Sequence, residues 1–135
     1  MKKAFASIVA VLALTSTAYA ASEYAVDVKA PASAKKGEKA VAKLHVQGKG
    51  DFHVNEEYPV KLAITAPAGV KLEKATMKKE DAAKFGKDGA DFDIAFTSSD
   101  TGKKDFTGDF KFAVCKGTEA CKPVAEKVSF SVDVK

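Results

Sequence analysis

A period of two in the apolar residues is the feature that most constrains the fold of this chain. In the segment EYAVDVK, Tyr24, Val26 and Val28 alternate with charged or small residues. That segment is residues 23–29, and the same alternation recurs in segments 39–47, 59–67, 68–75, 91–97, 104–114 and 124–134. This pattern is typical of strands that bury one face and expose the other.

The spacing of these segments predicts an all-β chain. About seven short strands, with turn residues between them and no alternation with helices, favour an immunoglobulin-like antiparallel β-sandwich. A small closed barrel is the alternative architecture. Only the segment KKEDAAKFG, residues 78–86, indicates one or two helical turns ending at Gly86, or else a structured loop. Gly108 lies inside an alternating segment, where it predicts a bulge or a close approach of another chain segment.

The amino-terminal residues resemble a secretory signal peptide. Lys2 and Lys3 precede the apolar run AFASIVAVLAL, and an Ala-x-Ala cleavage pattern ends at Ala20. The run is shorter than the roughly 20 apolar residues that span a bilayer, so a membrane anchor is the weaker interpretation. We therefore expect residues 1–20 to be removed and residues 21–135 to form a single soluble domain, located in the periplasm or secreted.

The charge pattern argues against a nucleic-acid partner. All 22 basic residues are lysine, and removing Lys2 and Lys3 lowers the formal charge from +4 to +2. Arginine is the residue suited to bidentate contacts with phosphates and base edges, and the chain has none. The lysines alternate with acidic residues along the chain, which is typical of a solvated surface.

The chain has two cysteines, Cys115 and Cys121, in the segment CKGTEACKP. An exported protein meets an oxidising compartment in which a disulfide can persist. Because Cys115 has the opposite parity to Phe112 and Val114, we expect the pair at the rim, outside the core, with both sulfurs accessible. Closing so short a loop stabilises a fold by only ~2.4 kcal/mol. The residues alone leave a structural staple and an exchangeable redox couple equally open.

Other chemistry has little support in the sequence. There is no serine-hydrolase elbow, no HExxH motif and no glycine-rich phosphate loop. His45, His53 and Met77 are weak candidates for a copper site together with the thiols. No cofactor and no resident metal are expected.

At the cysteine hairpin the sequence resembles a known family. The stretch CKGTEACKP is similar to the Cys-x5-Cys-x-Pro stretch of the amino-terminal periplasmic domains of the thiol:disulfide interchange protein DsbD. The resemblance extends over roughly residues 40–134, and further matching segments are GDFHVNEEYPVKLAITAPAGVKLEK, DAAKFGKDGADFDIAFT and TGDFKFAVCKGTEACKP.

This resemblance implies an immunoglobulin-like sandwich that works in electron transfer. Cys115 and Cys121 would be the redox couple, and Phe85 would be the aromatic residue of a loop that caps the disulfide. The implied partners are a thioredoxin-like periplasmic protein or domain as electron donor and an oxidised periplasmic protein as acceptor. The only enzymatic activity implied is thiol:disulfide interchange.

The sequence also departs from that family. It contains no Cys-x-x-Cys motif, and Lys122 stands where the family usually has an aromatic or apolar residue. We therefore expect a free-standing, monomeric copy of the domain that takes electrons from a separate carrier. The alternative is a non-catalytic binding or adaptor domain in which the disulfide only staples the hairpin.

Overall fold

The computed structural model describes residues 14–20, 23–118 and 120–135. Within them the strands are, in chain order, β1 (Leu14–Ala20), β2 (Tyr24–Pro31), β3 (Ser33–Ala34), β4 (Lys39–Gly48), β5 (Phe52–Val54), β6 (Lys61–Thr65), β7 (Val70–Leu72), β8 (Thr76–Lys78), β9 (Lys84–Gly86), β10 (Gly89–Ser98), β11 (Gly102–Lys116) and β12 (Ala120–Val134). The seven predicted strands are all present, as β2, β4, β6, β7, β10, β11 and β12. Of the other strands, β1 lies in the predicted signal peptide, and β3, β5, β8 and β9 have only two or three residues each.

The strands form two six-stranded sheets. The first has the order β1-β2-β4-β10-β7, with β9 also paired to β10, and the second has the order β3-β12-β11-β6-β8, with β5 also paired to β11. Among the described residues every pairing is antiparallel except the short one between β3 and β12. The chain is therefore an immunoglobulin-like β-sandwich, as predicted.

The strand β1 lies within the predicted signal peptide. It forms the edge of the first sheet, pairing with β2 from Leu14 opposite Pro31 to Ala20 opposite Ala25. This pairing belongs to the uncleaved chain, and removal of residues 1–20 would make β2 the edge strand. The rest of the predicted signal peptide, residues 1–13, lies outside the described residues.

The segment with helical character folds mostly as extended chain. A single 3-10 turn covers Lys79–Asp81 and is held at its start by the bond from the Lys78 backbone N–H to Asp81 Oδ2, 2.9 Å long. The chain then continues as β9, and the expected helical turns up to Gly86 are absent there. The cause is tertiary pairing with β10, since the Ala83 N–H donates to the Asp91 carbonyl at 2.8 Å. Within the described residues no helix is long and apolar enough to cross a membrane.

Aromatic rings from both sheets meet in the core. Phe92 and Phe96 of the first sheet contact Phe110 and Phe106 of the second, with ring centroids 5.7 and 4.8 Å apart. All four side chains are fully buried. Phe106 also stacks on Phe130 at 4.5 Å, so the contact continues into β12. These phenylalanines all occupy positions that the alternating sequence pattern predicts to face inward.

Gly108 allows close packing in the middle of β11. A Cβ atom at this position would lie 2.7 Å from Ile64 Cδ1, 3.0 Å from the Ala63 carbonyl oxygen and 3.1 Å from Val128 Cγ2. The register is continuous through Gly108 on both sides, opposite Ile64 in β6 and Val128 in β12. The glycine thus marks a close approach between three strands and not a bulge.

Tyr24 joins the two sheets at the edge of the sandwich. It lies at the start of β2, its ring packs edge-on against Phe112 of β11 at 5.2 Å, and its hydroxyl donates a hydrogen bond to Glu126 Oε2 of β12. Burial of the hydroxyl, reinforced by the Glu126 carboxylate, raises the pKa of Tyr24 to about 12.

We expect the substitution Gly108→Ala to lower the free energy of unfolding by about 1–3 kcal/mol, because the added methyl group overpacks a closed part of the core. Chemical denaturation measures this loss. Thr107→Ala, on the exposed face of the same strand, is the control and should stay within about 0.5 kcal/mol of the parent. A Gly108→Ala protein as stable as the parent would contradict the close approach.

The Tyr24 hydroxyl should make stability depend on alkaline pH. Its pKa is higher in the folded state than the ordinary value of 10.0, so its contribution is complete below pH 10 and is lost as pH rises toward 12. Tyr24→Phe keeps the ring and removes the titration. The free energy of unfolding of the parent minus that of the variant should therefore be constant up to about pH 10 and should fall above it. A difference that stays constant up to pH 12 would exclude this linkage.

Candidate functional site at the cysteine hairpin

The two cysteines lie at the turn end of the β11–β12 hairpin. Cys115 is opposite Cys121 in the register, their Cα atoms are 4.0 Å apart, and the sulfurs form a disulfide. Gly117, with a positive φ of 64°, supplies the left-handed conformation that the connecting turn needs. The spacing of five residues between the cysteines thus corresponds to two cross-strand neighbours joined by a short turn.

The two cysteines differ in exposure. Phe112 and Val114 point into the core and Cys115 lies on the opposite face, as its parity predicts. Yet Cys115 is only 3% exposed, whereas Cys121 is an exposed residue. The prediction that both sulfurs are accessible is therefore wrong for Cys115. The cause is that β11 is an interior strand at this point, paired with β12 on one side and with β5 on the other.

The strand β5 brings two polar residues to the disulfide. His53 lies opposite Cys115 in the register, and Val54 lies opposite Val114 and is buried. The backbone of Asn55 continues the attachment, because its N–H donates to the Ala113 carbonyl at 2.9 Å. Sequence reasoning considered His53 only as a weak metal ligand and overlooked Asn55, because a strand of three residues gives no periodic signal.

The Asn55 side chain is held between two partners. Its Oδ1 accepts a hydrogen bond from the Glu57 backbone N–H at 2.9 Å, and its Nδ2 donates to Cys121 Sγ at 3.9 Å. The first bond is an Asx turn, a local motif in which an asparagine side chain bonds the backbone two residues ahead. Since the oxygen is used by the turn, the amide nitrogen faces the sulfur.

A cavity of about 310 Å³ lies beside the disulfide. We call it the disulfide cavity, and it is lined by His53, Val54, Asn55, Glu56, Glu57, Lys87, Cys115, Gly117, Thr118 and Cys121. Its charged groups are therefore two carboxylates and one ammonium. Lys87 lies in the turn between β9 and β10. Its backbone carbonyl accepts a hydrogen bond from the Val54 N–H at 3.1 Å, which attaches this turn to β5.

The lysines next to the cysteines in sequence contribute less than their positions suggest. Lys122 Nζ bonds Glu23 Oε1 at 3.3 Å, an ion pair that ties the start of β12 to the residue before β2. Neither Lys116 nor Lys122 lines the disulfide cavity. The cation of this cavity is Lys87, which is 28 positions before Cys115 and cannot be assigned to the site from sequence spacing.

Phe85, the predicted cap residue, lies near the site but not on the disulfide cavity. It is in β9 opposite Ala90, partly buried against the core, with Lys79 Nζ 5.2 Å from its ring centroid. Lys79 Nζ also donates to the Glu56 carbonyl at 2.5 Å, so this segment is linked to the cavity wall. Shielding of the disulfide by Phe85 stays a prediction.

The three weak metal candidates occupy separate places. Met77 is buried in the core, opposite Leu62. His45 lies in the first sheet, where its Nδ1 is 2.5 Å from Asp91 Oδ1, whereas His53 lies in the second sheet beside Cys115. Across the part of the chain that the structure describes, no group of three or more His, Cys, Asp or Glu side chains could hold a metal ion.

Comparisons with known proteins bear on the fold alone. No protein-family model matches the chain. No curated protein matches its sequence either. Among solved structures the chain is similar to the GAE domain of GGA2p from Saccharomyces cerevisiae, with 10% identity, a TM-score of 0.56, and coverage of 88% of this chain and 96% of that chain. At such low identity the likeness supports the β-sandwich and says nothing of activity.

Removing the disulfide should cost little stability. We expect Cys115→Ala combined with Cys121→Ser to lower the free energy of unfolding by about 2 kcal/mol, because the bond closes only a short loop. Alanine is chosen at position 115 so that no hydroxyl is buried there. Denaturant titration with circular dichroism measures the change, and the parent protein after reduction should give a similar value. Loss of the fold in the variant would mean that the bond is an essential staple.

Proposed function

We propose that this protein is an exported thiol–disulfide exchange protein that carries electrons through the Cys115–Cys121 couple. The observation that carries the proposal is the unequal exposure of the two cysteines, with Cys121 open to a partner and Cys115 buried behind it. Exchange requires an incoming thiolate to reach one sulfur directly. A bond that serves only as a staple has no need for one sulfur to face both solvent and a cavity.

The first step is attack of a donor thiolate on Cys121 Sγ. A partner–Cys121 disulfide forms, the Cys115–Cys121 bond breaks, and the electron pair leaves with Cys115 Sγ, which takes up a proton. His53 is placed to supply that proton, because it is the cross-strand neighbour of Cys115 and lines the same cavity. An imidazole is the side chain best suited to exchange protons near neutral pH.

The second step releases the donor. The other thiol of a dithiol donor attacks the donor's own sulfur in the mixed disulfide, and Cys121 leaves as a thiolate. The donor is now a disulfide, its second thiol has released its proton to solvent, and this protein holds a thiol at Cys115 and a thiolate at Cys121, so two electrons have moved and the Cys121 thiolate is in protonation equilibrium with solvent. Delivery to an oxidised acceptor repeats the two steps in reverse, starting from the Cys121 thiolate.

Two further observations support the proposal. The hairpin and the segments around it resemble the amino-terminal periplasmic domains of the interchange protein DsbD, in which the same cysteine spacing serves electron transfer. The basic, apolar and Ala-x-Ala regions of residues 1–20 fit export to an oxidising compartment, where such exchange takes place. By this resemblance the donor is a thioredoxin-like protein and the acceptor an oxidised periplasmic protein.

The test is reduction of the native protein by a thioredoxin-like dithiol. We expect an excess of reduced thioredoxin to reduce the Cys115–Cys121 disulfide within seconds to minutes. The reaction is stopped with acid, and the free thiols are counted after labelling with a reagent that adds mass. A thioredoxin that lacks its second cysteine should be trapped on Cys121, as peptide mapping would show. A pair that stays oxidised in the native protein under millimolar thiol would overturn the proposal, and a reduction potential below about −300 mV would then identify a staple.

A further inference from the structure

We infer that Asn55 is a positioning residue that stabilises the thiolate of Cys121 and so selects this sulfur as the one that reacts with partners. The inference rests on the proposed function, since a thiolate at Cys121 has a role only if the couple exchanges. It concerns a contact that the sequence pattern does not reveal, between a side chain beyond β5 and a sulfur at the start of β12.

The contact is directional. Nδ2 is the only donor atom of the Asn55 side chain, and it donates to Cys121 Sγ at 3.9 Å. The Asx turn to Glu57 fixes the amide, and the bond from the Asn55 N–H to Ala113 fixes its backbone against β11. Two polar groups of the residue, Oδ1 and the backbone N–H, therefore hold its third, the Nδ2 amide group, beside one sulfur.

The chemistry of this contact depends on the redox state. A disulfide sulfur is a weak acceptor, whereas a thiolate is a full negative charge, and hydrogen bonds to ionised groups are roughly twice as strong as neutral ones. The N–H of Asn55 therefore favours the ionised form of Cys121 over the thiol and the disulfide. In the proposed cycle that form is both the leaving group when the donor departs and the nucleophile when the acceptor arrives.

The other charged groups of the disulfide cavity do not explain a preference for Cys121. Glu56 and Glu57 would oppose a thiolate, and Lys87 would favour one at either sulfur, since all three line the same cavity. The neighbours that distinguish the two sulfurs are His53, opposite Cys115, and Asn55, bonded to Cys121. These two polar side chains therefore add an electrostatic preference to the one that the unequal exposure of the two sulfurs already gives.

The experiment uses Cys115→Ala protein, in which Cys121 is a single thiol that needs no reduction. Its rate of alkylation by iodoacetamide is measured between pH 5 and 10, in the presence and absence of two further substitutions. Asn55→Asp keeps the acceptor for the Glu57 N–H but removes the donor, and Asn55→Ala removes the donor without adding charge. We expect each to lower the rate at pH 7 about tenfold and to move the pH midpoint upward, as loss of a hydrogen bond to a charged group implies.

A matched control separates this effect from a general loss of structure. In Cys121→Ala protein the single thiol is Cys115, and Asn55→Ala should change its alkylation rate less than twofold. Equal effects on both thiols, or unchanged rates at Cys121 in both Asn55 variants, would overturn the inference. Because no partner protein takes part, failure of exchange with thioredoxin would reject the proposed function while leaving the measured role of Asn55 intact.

Discussion

The pairing of β11 with β12 is the interaction on which the rest of the structure depends. These two strands, each 15 residues long, form one hairpin with a continuous register from Gly102 opposite Val134 to Lys116 opposite Ala120. The register fixes which side chains face inward, and hence the aromatic contacts that hold the second sheet against the first. It also sets the two cysteines opposite each other, where their sulfurs form the disulfide.

The surroundings of the disulfide arise because β11 has partners on both sides. Near its middle it pairs with β6 where Gly108 allows three strands to approach closely, and near its end it pairs with β5. The second pairing covers Cys115 while Cys121, on the outer strand, stays exposed. The ion pair of Lys122 with Glu23 and the hydrogen bond of Tyr24 to Glu126 fix the β12 side of the hairpin to the first sheet.

The parts that the sequence predicted are those governed by local periodicity. Alternation in segments such as 104–114 identified the long strands, the all-β class and the outward face of Cys115. The burial of Cys115, the cavity and the roles of Asn55 and Lys87 depend on contacts between residues far apart in the chain. The strand at Phe52–Val54 and the extended chain at Lys84–Gly86 are too short to show a period, and pairing with β11 and β10 overrides their local preferences.

The continuous register on both sides of the cysteines has a consequence for recognition. Val114 is paired with Lys122 and Lys116 with Ala120, so cleavage of the sulfur–sulfur bond leaves the strands held by their backbone on either side. The oxidised and reduced proteins would then present almost the same outline. A partner would have to tell them apart through the sulfur atoms and the charge on Cys121. In the proposed exchange cycle, the direction of electron flow would accordingly be set by relative potentials and not by a change of shape.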